Sequence, residues 1–325
     1  MTFAGTPTDV AQDVPRQVRA GRTLADRIYR GASTGGGVLT LVLLVLIGWF
    51  LFQKGLPELR QDGVHFFTGT KFQAIAPFGI AAIVYWTVVI AVIGLVIALP
   101  VAIAMALFIN EYAPPNLRRV FTSLIDLLAA VPSLIYGLWG LTFLQPRMEP
   151  ISKWLTTHAS FIPIFKTSEA QYKASSFIVG VVVALMIVPI ITSVTREVFS
   201  QAPPGEKEAA LAMGATRWGM IRTVVLPYGK GGIIGGAMLG LGRALGETIV
   251  VVLIISPTTI VSSHILQTGS NSIASLIALQ INDAHGLKIN ALMAAGLALF
   301  VMTLFVNLIA AVVVGRSRSG RGGEI

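Results

Sequence analysis

The chain has 325 residues, of which 54% are hydrophobic and only 12% charged, with mean hydropathy +0.77 and a formal net charge of +9. Soluble domains carry about 25% charged residues, so this composition excludes an ordinary water-soluble globule and requires long segments that never meet water. Having no cysteine, the chain lacks disulfides, thiolate nucleophiles and cysteine metal sites, and its basic charge reads as anchoring of membrane loops rather than as a nucleic-acid surface.

Residues 1–34 are polar and arginine-rich and read as a cytoplasmic tail, with 3–15 expected to be disordered. This stretch is too long for the charged region of a signal peptide, and no A-x-A site follows the first apolar run. Six apolar runs come next, at 35–52, 78–109, 120–144, 177–198, 232–255 and 291–314. Each is close to or above the roughly 20 residues a membrane helix needs. The second is too long for one straight span and is expected to tilt or to bend at Pro100. Pro132 and Pro189 fall inside the third and fourth, where neighbouring helices can satisfy the freed backbone groups. The fold class is therefore an all-α membrane protein of about six transmembrane helices.

Orientation follows from the loops. Of the 24 lysines and arginines, 15 fall in the two terminal segments, near Arg118 and Arg119, and in 196–230. Eight fall in 53–77, 145–176 and 256–289. The asymmetry predicts both termini and the loop 199–230 on the cytoplasmic side. Residues 316–325 form a short basic tail. His65, His158, His264 and His285 lie far apart with no HExxH pattern, so no metal site is expected.

The loop 199–230 is the most informative stretch. It opens on the turn signal Pro203-Pro204-Gly205. Glu206 to Met213 then favours a helix, stopped by Gly214, and a second short helix from Thr216 to Val225 is expected to end at Pro227. Such a helix–glycine–helix elbow can present a rigid helix to a cytosolic partner, although the pattern by itself also fits a plain interfacial hairpin.

Glu208-Ala209-Ala210, three residues, Gly214, nine residues and Val224-Val225-Leu226-Pro227 resemble the loop of ABC-importer permeases, whose pattern is EAA, three residues, Gly, nine residues, I-x-L-P. Only the isoleucine differs. FINEYAP at 108–114, DLLAAVPSLIYGLWG at 126–140 and LGRALGET at 241–248 are similar to the phosphate permease family, PstC type, and the likeness covers roughly residues 35–315. The resemblance implies an ABC type I importer (MetI-like) permease fold in a bacterial cytoplasmic membrane. It implies that Glu208, Ala209, Ala210 and Gly214 form the helix that docks on an ATPase subunit. It further implies a second, PstA-like permease subunit, two PstB-like ATPase subunits and an extracytoplasmic PstS-like phosphate-binding protein. ATP and Mg would be used by the partner ATPases. This chain is expected to bind no cofactor, since no G-x-x-x-x-G-K-[ST] occurs and both GASTGGG at 31–37 and YGKGG at 228–232 fail the spacing.

In the fifth run, Gly232, Gly236, Gly240, Arg243 and Glu247 fall within about 80° of an ideal helix. The glycines permit close helix approach, and Arg243 and Glu247, four residues apart, share a face. A charge in mid-membrane costs at least about 2.5–3.5 kcal/mol, so the pair has a purpose. A structural ion pair would lock two helices together. An anion site would use the guanidinium fork, which matches phosphate oxygens. Glu247 would then orient Arg243 and accept a hydrogen bond from a protonated oxyanion, which sulfate cannot offer. The resemblance associates this Arg/Glu motif with the substrate path. Ser133 and Tyr136, beside Pro132, are further candidates for that path, or else bond between helices. Asp126 is expected near the inner interface, paired with an arginine. A secondary transporter, an intramembrane enzyme and a sulfate or molybdate permease are the competing functions.

Overall fold

The computed structural model describes residues 24–72, 77–166, 172–258 and 260–319. The predicted disordered segment 3–15 and residues 320–325 lie outside these. Among the described residues the chain is helical, with α1 Leu24–Asp62, α2 His65–Thr68, α3 Ala81–Leu107, α4 Pro115–Ala130, α5 Ser133–Trp139, α6 Gln145–His158 and α7 Ser176–Ser200. Then come α8 Pro204–Ala212, α9 Arg217–Met220, α10 Leu226–Leu245, α11 Ile249–Ile254, α12 Ile273–Gln280 and α13 Leu287–Ser319. The chain divides into two units, Met1–Ile47 and Gly48–Ile325. The described part of the first, within α1, is helical and exposed along its length.

Five helical runs are long and apolar enough to cross a membrane: Asp26–Asp62, Ala81–Tyr112, Ser176–Ser200, Arg217–Leu245 and Leu287–Val313. A sixth crossing is available if Pro115–Ala130 and Ser133–His158, bent by 90° at their junction, count as one. The number agrees with the expected six. Three of the expected runs differ in their bounds: the first, expected at 35–52, lies within the longer helix Leu24–Asp62, and the third and fifth differ as follows.

The third run, 120–144, is not one span. Pro132 disfavours helical geometry in the residue before it; Val131 is extended, with φ −64° and ψ 128°, and α4 stops at Ala130. The fifth run starts earlier and stops sooner than 232–255. Pro227 does not end the elbow's second helix. A π-helical turn, Ile221–Val225, joins α9 to α10, so Pro227 falls in the first turn of a new α segment, where its missing N–H is tolerated. At the other end α10 stops at Leu245. Gly246 follows, and the Thr248 hydroxyl donates to the Gly246 carbonyl at 3.2 Å, a side-chain bond that competes with the helix ladder.

In the second unit, α3, α7 and α10 form the centre. Lipid is as apolar as leucine, so helices associate through close packing and small residues rather than through the hydrophobic effect. An ideal Cβ at Gly236 of α10 would lie 3.2 Å from the Ile191 carbonyl oxygen and 3.3 Å from Thr195 Oγ1 of α7; one at Gly240 would lie 2.8 Å from Ile191 Cδ1. The Gly229 and Gly232 positions are closed by Phe199 and Val198 of the same helix. The predicted glycine ladder is thus seated on α7. Ile90, Val182, Val183, Ile187, Ile191 and Leu245 belong to the central apolar cluster. A smaller cluster of Ala106, Leu107, Phe199, Ala210, Met220, Ile221 and Val225 lies where α3, α7 and the elbow meet.

Candidate functional site

The elbow is built by backbone chemistry. Proline in the first turn and Glu206 beside it suit the N-terminus of α8. At its other end Gly214 adopts φ +87°, a left-handed conformation that costs a side chain about 1–2 kcal/mol. There the Gly214 N–H donates to the Leu211 carbonyl at 2.9 Å and the Ala215 N–H to the Ala210 carbonyl at 3.1 Å. These two bonds are the Schellman arrangement, which satisfies carbonyls the helix end would otherwise orphan. The Thr216 side chain then accepts the Gly219 N–H at 3.1 Å and starts α9.

Glu208, Ala209 and Gly214 are exposed, and beside them Met213 is 84% exposed. Ala210 departs from expectation. It is 7% exposed and packs inward with Phe199, Met220 and Ile221, because three residues of a helix cannot all share one face. Its small side chain lets the elbow close against its own protein.

The substrate-path candidates gather at two helix breaks. Arg243 lies in the last turn of α10, where a cation suits the negative end of the helix dipole. Glu247 does not continue that helix. The expected i, i+4 pair on one face is therefore absent, and no ion pair joins Arg243 to Glu247 among the described residues. Glu247 is 7% exposed, and its Oε1 accepts the Val250 N–H at 3.2 Å, at the start of α11. Arg243 is exposed. α5 packs directly on α11, since an ideal Cβ at Gly137 would lie 3.4 Å from the Val250 Cα. The two breaks, at Pro132 and at Gly246–Thr248, are thus neighbours. Tyr136 donates its hydroxyl to the Leu128 carbonyl at 2.9 Å, while Ser133 is half-buried at the first residue of α5.

Asp126 is exposed and has no ion partner among the described residues, contrary to expectation. Arg196 of α7 instead bonds to Thr122, one turn earlier on α4, at 2.9 Å. Gly31-Ala32-Ser33-Thr34-Gly35 has the lettering of a nucleophile elbow, but it lies inside α1, in its N-terminal third, with no strand-to-helix turn.

Two features escape a reading by hydropathy and spacing. Lys207 of α8 forms a 2.7 Å ion pair with Glu111 in the π-helical turn Phe108–Tyr112 that closes α3. Asn307 of α13 presents its Oδ1 to Gly242, 3.5 Å from where a Cβ would stand. The first had a signal, an acid just past the end of the second apolar run. The second had one too, a lone amide in the sixth run.

The model of the family described as "Binding-protein-dependent transport system inner membrane component" matches residues 98–319. The chain is 39% identical over 321 residues to "Phosphate transport system permease protein PstC 2" of Mycobacterium tuberculosis, covering 97% of this chain and 98% of that one. It is 34% identical over 305 residues to "Phosphate transport system permease protein PstC" of Haemophilus influenzae, covering 93% and 96%. Among solved structures it resembles a bacterial alginate ABC transporter in complex with an alginate-bound periplasmic protein, with TM-score 0.60 at 20% identity, covering 90% of this chain and 97% of that one. It also resembles the MetNI methionine ABC transporter in an inward-facing conformation, with TM-score 0.53 at 12% identity, covering 73% and 95%. The two structural likenesses share a fold with this chain.

Proposed function

The chain belongs to the family of binding-protein-dependent transport system inner membrane components, and we propose that it is the membrane-spanning permease subunit of an ATP-driven importer of inorganic phosphate. The observation that carries the mechanism is the elbow. α8 ends on Gly214 at φ +87°, presents Glu208 and Ala209 outward, and leads without a helical break from Arg217 into the span that ends at Leu245. A displacement of α8 is therefore delivered to the helix that carries Arg243. The names of the relatives supply the substrate.

The partners are two ATPase subunits that bind the exposed edge of the elbow, a second permease subunit, and an extracytoplasmic phosphate-binding protein. ATP and Mg belong to the ATPase subunits. Both termini and the elbow face the cytoplasm of a bacterial cell, in agreement with the lysine and arginine distribution.

Arg243 supplies a guanidinium fork for phosphate oxygens. Glu247, buried beside the same break, rewards a substrate that still carries a proton. Ser133 and Tyr136 line the opposing break. Discontinuous helices of this kind expose backbone polar groups to a cavity. The test is uptake by the complete transporter in proteoliposomes. ATP-dependent accumulation of phosphate, competed by arsenate and not by sulfate, is expected. Accumulation without ATP, or equal competition by sulfate, would overturn the reading.

A further inference from the structure

The segment FINEYAP at 108–114 has no part in the site described above. Its first five residues form the π-helical turn that ends α3, and three polar groups gather there. Glu111 Oε1 lies 2.7 Å from Lys207 Nζ, with the two side chains 8% and 21% exposed. Asn110 Nδ2 donates to the Arg196 carbonyl of α7 at 2.7 Å. Asn110 Oδ1 accepts from the Arg118 guanidinium of α4 at 2.8 Å. One turn thus touches α4, α7 and α8 as well as its own helix.

On α8, Lys207 and Ala210 are three residues apart and share a face. Lys207 takes the Glu111 carboxylate, and Ala210 is buried in the cluster that contains Ala106 and Leu107 of α3. The elbow is therefore fastened to the end of α3 at two points, one ionic and one apolar. Its covalent connections run elsewhere, back to α7 through residues 201–203 and on through α9 into α10.

We propose that the Lys207–Glu111 pair is a non-covalent transmission link, carrying the displacement of the elbow to α3, which no covalent segment joins to the elbow, and bracing it through Asn110 against α7. The proposal rests on the reading of the elbow as the docking site for an ATPase subunit. A lever held only at its two covalent ends can roll about the line between them, so part of its push is lost as rotation. A lever also pinned near its middle transmits both translation and rotation. An ion pair can act as such a pin. The lysine stem is flexible, so small displacements keep the charges together, whereas losing one partner leaves a nearly buried charge uncompensated. Lys207 and Glu111 are positioning residues here, remote from the helix breaks proposed as the phosphate path.

The experiment measures phosphate moved per ATP hydrolysed, in proteoliposomes holding matched amounts of complete transporter. Lys207→Met and Glu111→Gln should each recover the ATPase subunits and hydrolyse ATP, with the ratio lowered about tenfold or more, within the range of typical coupling free energies. The exchange Lys207→Glu with Glu111→Lys should restore it to within about threefold of the native value. Should the single variants assemble poorly, Lys207→Met with Glu111→Met decides, because it leaves no unpaired buried charge; a lowered ratio is expected there too. A native ratio in that double variant, a loss that the exchange does not repair, or a loss of complex at unchanged ratio would each overturn the proposal. Failure of the native transporter to use ATP would overturn the functional reading instead.

Discussion

The Tyr136 hydroxyl stands 2.9 Å from the Leu128 carbonyl oxygen, the acceptor that an unbroken helix would pair with the N–H of residue 132. That residue is proline and has no N–H. Tyrosine replaces the missing donor from one turn beyond the bend, with partial help from the Val131 N–H at 3.3 Å. Tyr136→Phe should therefore lower stability by about 1 kcal/mol, the net worth of one such bond. Thermal unfolding in detergent checks this. An unchanged midpoint would separate the hydroxyl from the bend.

Gly236→Val places a branched side chain against the Ile191 carbonyl, which cannot rotate away as a side chain would. Overpacking of this kind costs about 1–3 kcal/mol. The variant should show a smaller monodisperse fraction by fluorescence size exclusion. Gly205→Val, where nothing stands within 4 Å of the added Cβ, should show none of that loss.

Gly214→Val forces a branched residue to φ near +87°, at a cost of about 1–2 kcal/mol or more. No neighbour stands within 4 Å of the added Cβ, so the damage is confined to the elbow's bend. The variant should insert at native levels yet recover the ATPase subunits poorly in a pull-down, or recover them without uptake. Native recovery with native uptake would remove the docking role from the elbow.

Arg243→Lys keeps the charge and loses the fork. A loss of about 1.4 kcal/mol, or about tenfold in apparent phosphate affinity, is expected. Glu247→Gln keeps an acceptor for the Val250 N–H, so α11 should begin as before while the charge is gone; competition by sulfate should then rise. Native uptake by the double variant Arg243→Gln with Glu247→Gln would exclude both residues from the phosphate path.

The native chain has no cysteine, so single cysteines report topology cleanly. Gly205→Cys should be protected from an impermeant maleimide in intact cells and labelled after lysis. Labelling of intact cells would invert the orientation.

Hydropathy summed over about 20 residues locates the five unbroken spans, because the bilayer imposes that length on any crossing. It cannot see the breaks. At Pro132 the local rule was visible, since the residue before a proline avoids the helical region, but an uninterrupted apolar run masked it. At Gly246–Thr248 the helix yields to two side chains that bond locally, and the helical wheel carried Glu247 past the break onto a face it does not occupy. The elbow's first helix and its stop were legible, because Gly214 is a backbone requirement written as one residue; the continuation of the second helix past Pro227 was not. The inward turn of Ala210 and the pairing of Lys207 with Glu111 were not, because both depend on where the end of α3 lies, 96 residues away in the chain.

Three π-helical turns punctuate the described helices, at Phe108–Tyr112, Gly140–Leu144 and Ile221–Val225. Each is an α-helix that has absorbed one residue too many. Such turns act as slack in chain length. Losing one residue there would let the helix close into ordinary α geometry, whereas losing one between Gly232 and Gly240 would rotate the later glycines by about 100° and take them off α7. Single-residue gaps between this chain and its relatives should therefore collect at the three turns. A shortened design would begin with a deletion in 140–144, the turn that lies neither in the elbow nor at the Lys207–Glu111 link.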